Sequence, residues 1–273
     1  MKKPMFSVII PTLNEEKFVG NLLASLVAQT QKDFEVIVVD GKSKDKTIQV
    51  VERYKVKLPS IRIVESEKKN TGAQRNLGAS VAYGNWLVFV DADSTLFPYF
   101  FDRVSAYIHR NKARALTTRC RSDSELRGDA LLALFSNMTV ELSMKFRRPL
   151  APGPLTIVHC RAHQAIRGYD EEYRNTEDVD YGRRLFDAGY PLHIIRETLY
   201  VWSLRRFRRE GTLAIVQRFA ITSLLVLITR KPQKFITGYD LGGALYTLKK
   251  TTRLSLVRKY EKKIRKLLYT FIS

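Results

Sequence analysis

Cysteine is scarce in this chain: there are two, Cys120 and Cys160. Neither forms a Cys-x-x-Cys pair or stands beside histidine at metal-ligand spacing, which excludes a disulfide framework and a structural zinc site. A reducing compartment is the default for such a protein. Long hydrophobic runs are also missing. The apolar stretch Phe6–Ile10 is cut by Pro11 after five residues, and no small-residue cleavage site follows, so no signal peptide is expected. The sequon Asn137-Met138-Thr139 is accordingly read as chance. Further on, a helical pattern runs from Thr212 to Thr229, but its apolar part, Phe219–Ile228, is half of the roughly 20 residues a bilayer requires. Gln217 and Arg218 block its extension upstream, and no spanning helix is expected. Acidic residues are the third shortage: 27 Asp+Glu face 47 Lys+Arg, a formal charge of +20. From Arg205 to Ser273 there are 17 basic residues and only Glu210, Asp240 and Glu261, a net +14 in the last quarter. Such a balance points to a polyanion, either nucleic acid or an anionic membrane surface.

What is present suits a folded enzyme. The chain has 273 residues, enough for one large domain or a domain with an appendage, and 45% hydrophobic residues exclude a disordered class. Ser7–Ile10, Phe34–Val39, Ile61–Val64 and Trp86–Val90 are short β-branched or aromatic runs that predict buried strands. Helical patterns lie between them: Phe18, Leu22 and Leu26 after Asn14 as a plausible N-cap, then Thr47–Tyr54 and Thr71–Tyr83. This alternation predicts an α/β fold with a mostly parallel sheet and helices on both faces. Ligands of such sheets collect beyond the carboxyl ends of the strands. The middle of the chain predicts helices over Phe97–Arg110 and Arg127–Phe146, strands over Leu116–Cys120 and Leu155–His159, and a helix from Glu177 to Ala188 stopped by Gly189.

Four polar features fall at the expected crevice. Asp40 ends a strand and is followed by Gly41, with Ser43 or Asp45 placed to cap the next helix; its carboxylate suits a base or ribose as well as a turn. Asp91-Ala92-Asp93 follows the strand Trp86–Val90. In extended backbone the two carboxylates would face one point and would attract a hard divalent cation, whereas a solvated turn is the plain alternative. Glu177-Asp178 opens a helix, where the dipole alone favours acids and where a general base would also serve. Asn70–Asn76 lies at a loop-to-helix boundary, suited either to ordinary capping or to anion contact through backbone amides and Arg75.

Together these features resemble the family-2 glycosyltransferases, whose catalytic domain has the GT-A fold. The matching stretches are Ser7–Glu16, Val39–Thr47, Gly72–Asn76, Asp91–Asp93 and Thr176–Asp178, in order over roughly residues 5–205. The resemblance implies that Pro11, Asn14 and Glu15 hold the nucleotide and that Asp40 contacts its base. It places Asn70 and Arg75 near the nucleoside, makes Asp91 and Asp93 the pair that binds Mn²⁺ or Mg²⁺, and gives Asp178 the role of catalytic base with Glu177 in support. The implied reaction is a single inverting transfer from a UDP- or GDP-sugar to the hydroxyl of a glycan or lipid-linked acceptor. Residues 1–205 would be the catalytic domain, with a nucleotide-binding half (1–95) and an acceptor half (96–205).

Two departures narrow the expectation. A histidine often precedes the basic cluster of the family, but Trp202 stands near there, which removes an expected third metal ligand. The Gln-x-x-Arg-Trp motif and spanning helices of processive members are absent, which favours transfer of one sugar. A polyprenyl-phosphate glycosyltransferase is the alternative; its anionic acceptor needs no base, so the Glu177-Asp178 match disfavours it. A nucleotidyltransferase lacks support because no glycine-rich first loop follows Ile10. A non-catalytic nucleotide-sugar or nucleic-acid-binding protein is the other class, and nucleic acid is not expected because it leaves the strand-end carboxylates without a role. The basic run Arg205–Arg209 suits either a diphosphate or a membrane. Residues 206–273 predict a helical, basic extension in which Leu254–Phe271 is amphipathic, and hence a cytoplasmic protein held peripherally at the membrane face, with packing of these helices on the catalytic domain as the alternative.

Overall fold

The computed structural model describes residues 3–58, 60–145, 151–173 and 176–210. The expectations for residues 211–273, including the amphipathic stretch Leu254–Phe271, lie outside the described residues. Strands β1 (Phe6–Thr12), β2 (Phe34–Asp40), β3 (Ile61–Glu65), β4 (Trp86–Val90), β5 (Thr95–Leu96), β6 (Ala115–Ser122), β7 (Leu155–His159) and β8 (Leu192–Trp202) form one sheet in the order β3-β2-β1-β4-β7-β6-β8-β5. The first four strands in that order run parallel. β7 is antiparallel to both β4 and β6, β8 returns parallel to β6, and β5 closes the edge antiparallel to β8. The expected parallel sheet is therefore the half made of β3, β2, β1 and β4, and the other half is mixed.

Continuous apolar runs are explained by burial on both faces. In β1, Val8 and Ile10 enter one core while Ile9 enters the other. The first core joins Leu22, Leu23 and Leu26 of α1 (Val19–Val27), Val51 of α2 (Thr47–Glu52) and Phe100, Phe101 and Val104 of α4 (Phe100–Asn111). The second joins Leu77 of α3 (Thr71–Ser80), Ala162 of α6 (Cys160–Ala165) and Tyr181 and Leu185 of α7 (Glu177–Asp187). α5 (Arg127–Lys145) packs on β6 and β8, and α8 (Arg205–Glu210) follows β8. At Gly78 the approach of α3 to the sheet is so close that a Cβ would stand 2.4 Å from Ile9 Cγ2.

One capping expectation is corrected. α1 starts at Val19, and Asn14 is not its cap. Asn14 instead takes a left-handed φ of 55° and accepts a hydrogen bond from the Lys44 amide at 2.7 Å. That conformation is tolerated by asparagine and ties the β1 loop to the β2 loop. Gly189, with φ of 81°, ends α7 as expected. Among the described residues no helix is long and apolar enough to cross a membrane.

Candidate active site

Strand register aligns the polar ends. Thr12 pairs with Asp40 and Asp40 with Glu65, and Asp91 directly follows β4, so the carboxyl ends of the four parallel strands open on one edge. Asp40 is buried there and its oxygens are already engaged. Oδ1 accepts from Thr12 Oγ1 at 2.9 Å and Ser43 Oγ at 2.5 Å, and Oδ2 accepts from the Ser43 amide at 2.7 Å. Asp45 Oδ1 accepts from the Thr47 amide at 3.0 Å just ahead of α2, whose N-cap position is held by Lys46 and not by Ser43 or Asp45. Pro11 is half-buried beside these loops.

The loop before α3 is a capping device. Asn70 is the N-cap, accepting from the Ala73 amide at 2.9 Å, while its Nδ2 donates to the carbonyls of Glu171 and Tyr173. Arg75, one turn further, is 1% exposed and acts as a hub. It donates to Asp91 Oδ1 at 2.9 Å and to the Gly153 carbonyl at 2.8 Å, and pairs with Glu177 Oε1 at 3.4 Å. Its guanidinium stands 5.2 Å over the Tyr169 ring, which stacks on Tyr181 at 3.9 Å. One buried cation thus joins the end of β4 to the start of α7.

Asp91 and Asp93 do not share the single direction expected of extended backbone. The Ser94 amide donates to the Asp91 carbonyl, closing a turn, and the two carboxylates go to different arginines. Asp93 Oδ2 pairs with Arg205 Nε at 2.8 Å, and the same guanidinium binds both oxygens of Glu15 at 2.8 Å. Arg205 also lies 4.0 Å over the Phe18 ring. Burial pushes the Asp93 carboxyl up to about 7; Arg205 opposes the rise, and the charges of Asp91 and Glu15 add to it. Glu15 is raised in the same way, by burial first and against the pull of Arg205.

Glu177 is buried and Asp178 is half-buried at the start of α7. Burial is the main reason that both carboxyls lie above their usual range. For Glu177 the charge of Asp178 adds to the rise, and Arg75 restrains both. Asp178 accepts from the Val179 amide at 2.8 Å, and Gly153 backs onto it so closely that a Cβ would lie 3.0 Å from Oδ2.

The structure therefore brings Arg75, Asp91, Glu177 and Asp178 together around Gly153, and Glu15 and Asp93 together around Arg205. Asp40, Asn14 and Asn70 brace the loops at the carboxyl ends of the parallel strands. The run Arg205–Arg209 is divided: Arg205 serves the site, whereas Arg208 is held by Asp123 and Asp129. Gly153, Tyr169 and the individual part of Arg205 escaped the sequence reading. A glycine between Pro152 and Pro154 was the available signal for the first.

Among the described residues no group of three or more His, Cys, Asp or Glu side chains is arranged to hold a metal by itself. The donor set still suits a hard cation. Asp91, Asp93 and Glu15 offer oxygen only, and a guanidinium already neutralises two of them. A divalent ion would take its remaining ligands from outside the chain.

A strand-end crevice of this construction belongs to the GT-A class of glycosyltransferases, and the fold superposes on two of them. Staphylococcus aureus TarS (residues 1–349, in complex with UDP) matches with a TM-score of 0.60 and 25% identity, covering 73% of this chain and 60% of that one. The mannosyltransferase PcManGT of Pyrobaculum calidifontis, in complex with GDP-Man and Mn²⁺, matches with a TM-score of 0.60 at 20% identity, covering 74% of this chain and 57% of that one.

Residues 7–172 match the profile of Glycosyl transferase family 2, and the chain belongs to that family. In sequence, it is 35% identical over 208 residues to the Staphylococcus aureus poly(ribitol-phosphate) beta-N-acetylglucosaminyltransferase TarS, covering 74% of this chain but 36% of TarS. It is 25% identical over 240 residues to an uncharacterised glycosyltransferase of Methanocaldococcus jannaschii, covering 86% of this chain and 82% of that protein.

Proposed function

We propose that this protein is an inverting glycosyltransferase that moves one sugar from a UDP- or GDP-sugar to an acceptor hydroxyl. The observation that supports the reading is the Arg75 hub, which holds Asp91 and Glu177 at once, with Asp178 next to Glu177 at the start of α7. Asp178 Oδ2 takes the acceptor proton. The acceptor oxygen then forms its bond to the anomeric carbon as the bond to the diphosphate breaks, with the electron pair leaving on the nucleotide and the configuration inverted. A raised carboxyl pKa improves the match between this base and a hydroxyl. Glu177 and Arg75 position the base, and Glu15, Pro11, Asn14, Asp40 and Asn70 shape the nucleotide side.

Asp91 and Asp93 would hold Mn²⁺ or Mg²⁺, which when bound neutralises charge on the leaving phosphates. The acceptor is read as lipid-linked or a surface glycan, with the basic residues 206–273 on an anionic membrane at the cytoplasmic face.

Calorimetric titration with UDP-, GDP- and dTDP-sugars, with and without Mn²⁺, tests the assignment. Metal-dependent binding of one donor that disappears in Asp93→Ala is expected. Binding of none would overturn it.

A further inference from the structure

Helix α5 carries an apolar face outward, while three of its polar side chains, Asp129, Asn137 and Glu141, are bonded to the protein. Asn137 donates to the Cys120 carbonyl at 2.8 Å and accepts from the Cys120 amide at 3.0 Å, and Glu141 accepts from Arg119 Nε at 2.8 Å. Asp129 is buried and accepts from Arg208 at 2.7 Å. Ala133, Leu132 and Met144 pack inward, but five larger apolar side chains face outward: Leu131, Leu134, Phe135, Met138 and Leu142 are 65%, 55%, 68%, 52% and 46% exposed. From Ala130 to Leu142 every exposed residue is apolar, at the spacing of one helix face. Leu126, just before the helix, continues the patch. A continuous apolar stripe of this kind marks an interaction site rather than an ordinary surface.

Charge selects what covers it. Arg127 and Lys145 are exposed at the two ends of the stripe. The acids nearby are mostly neutralised: Asp123 and Asp129 by Arg208, and Glu141 by Arg119, leaving Glu125. A second copy of a +20 chain would bring like charge to this face, whereas anionic headgroups complement it. An apolar helix face flanked by arginine and lysine is the form of an interfacial helix.

We infer that the outward face of α5 docks on an anionic lipid bilayer. Leu131, Leu134, Phe135, Met138 and Leu142 enter the interface, and Arg127 and Lys145 meet the headgroups. This inference rests on the exposure of α5 and stands apart from the proposed sugar transfer. It adds an attachment point within the GT-A domain.

The full chain carrying Phe135→Trp tests it, using vesicles of phosphatidylglycerol and phosphatidylcholine with brominated acyl chains. Trp86 is buried and Trp202 half-buried, so the new indole is the exposed emitter. Emission that shifts to the blue and is quenched only when anionic vesicles are added is the expected result. In sedimentation with such vesicles, Leu131→Gln/Phe135→Gln/Met138→Gln should lower affinity about tenfold or more, with unchanged thermal unfolding. Three results would overturn the inference. One is vesicle binding with the indole unquenched, which transfers attachment to other segments. Another is a blue shift without vesicles, which assigns the face to a second copy if it depends on protein concentration and to the chain's own residues if it does not. The third is emission that stays solvent-like throughout.

Discussion

Replacing Arg75 by methionine keeps much of the side-chain volume and removes the cation that three acceptors share. Glu177, 8% exposed, loses the guanidinium that pairs with it, and breaking a buried pair costs about 3–5 kcal/mol. Asp91 adds little, because its side chain is 35% exposed and water replaces the arginine. The expected loss therefore rises to about 3–5 kcal/mol only on the alkaline side, where Glu177 is ionised in the wild type; that is a large part of the roughly 5–15 kcal/mol that holds a domain folded. The pH dependence gives a sharper signature. Burial and Asp178 raise the Glu177 carboxyl and Arg75 restrains that rise, so the variant carries a still higher folded pKa. The folded variant then keeps a proton that the unfolded chain releases above its ordinary carboxylate range. Stability falls as pH increases between those two values, by up to about 1.4 kcal/mol per unit. The wild type follows the same course only to its own lower folded pKa, so the deficit of the variant widens on the alkaline side. Urea unfolding at about pH 6 and about pH 9 measures both quantities. Arg75→Lys should recover little, since one ammonium cannot reach three acceptors. A deficit under about 1 kcal/mol at about pH 9, or one that narrows with rising pH, would refute the hub.

Other outcomes follow from the same geometry. Asp178→Asn should lower kcat by about 10²–10⁴-fold while calorimetric donor binding is retained; a loss confined to KM would remove it as the base. Arg205→Gln frees Glu15 and Asp93 from their shared cation, so Mn²⁺ titrated without nucleotide should bind roughly tenfold tighter, and unchanged affinity would show that Arg205 does not compete there. His163 is buried against Tyr181, and burial, with the Arg184 charge, lowers its pKa to about 4 from an ordinary 6.5. The neutral ring is at no disadvantage above 6.5, and on the order of 3 kcal/mol is lost as pH falls towards 4. His163→Gln should flatten the unfolding free energy across that window; an unaltered slope would assign the acid sensitivity to another group.

The parallel half of the sheet was legible because its strands are buried on both faces and read as unbroken apolar runs. Strand β8 was not. Its middle, Arg196-Glu197-Thr198, is exposed, and its pairing with β6 shifts register twice, so neither a run nor an alternation survives in the sequence. The two-residue β5 carries no period at all. At the site, strand-end carboxylates announced themselves, but their partners did not. Asp93 meets Arg205 across more than a hundred residues, and the turn at Asp91–Ser94 separates two acids that extended backbone would have aligned. The helical period of α5 was readable, yet the side that faces inward depended on Asn137 and Glu141 finding partners on β6.

The contact at Gly78 behaves as a gauge. Arg75 lies one helical turn before it, about 4.5 Å along the axis. The missing methyl group sets how low α3 rides on β1, and hence how far a guanidinium must extend to reach Asp91 and Glu177. A single added carbon would lift the helix off Ile9 and draw the cation away from its acceptors, although no polar atom had been touched. Part of the electrostatics of the crevice is thus written in a hydrocarbon clearance between Gly78 and Ile9.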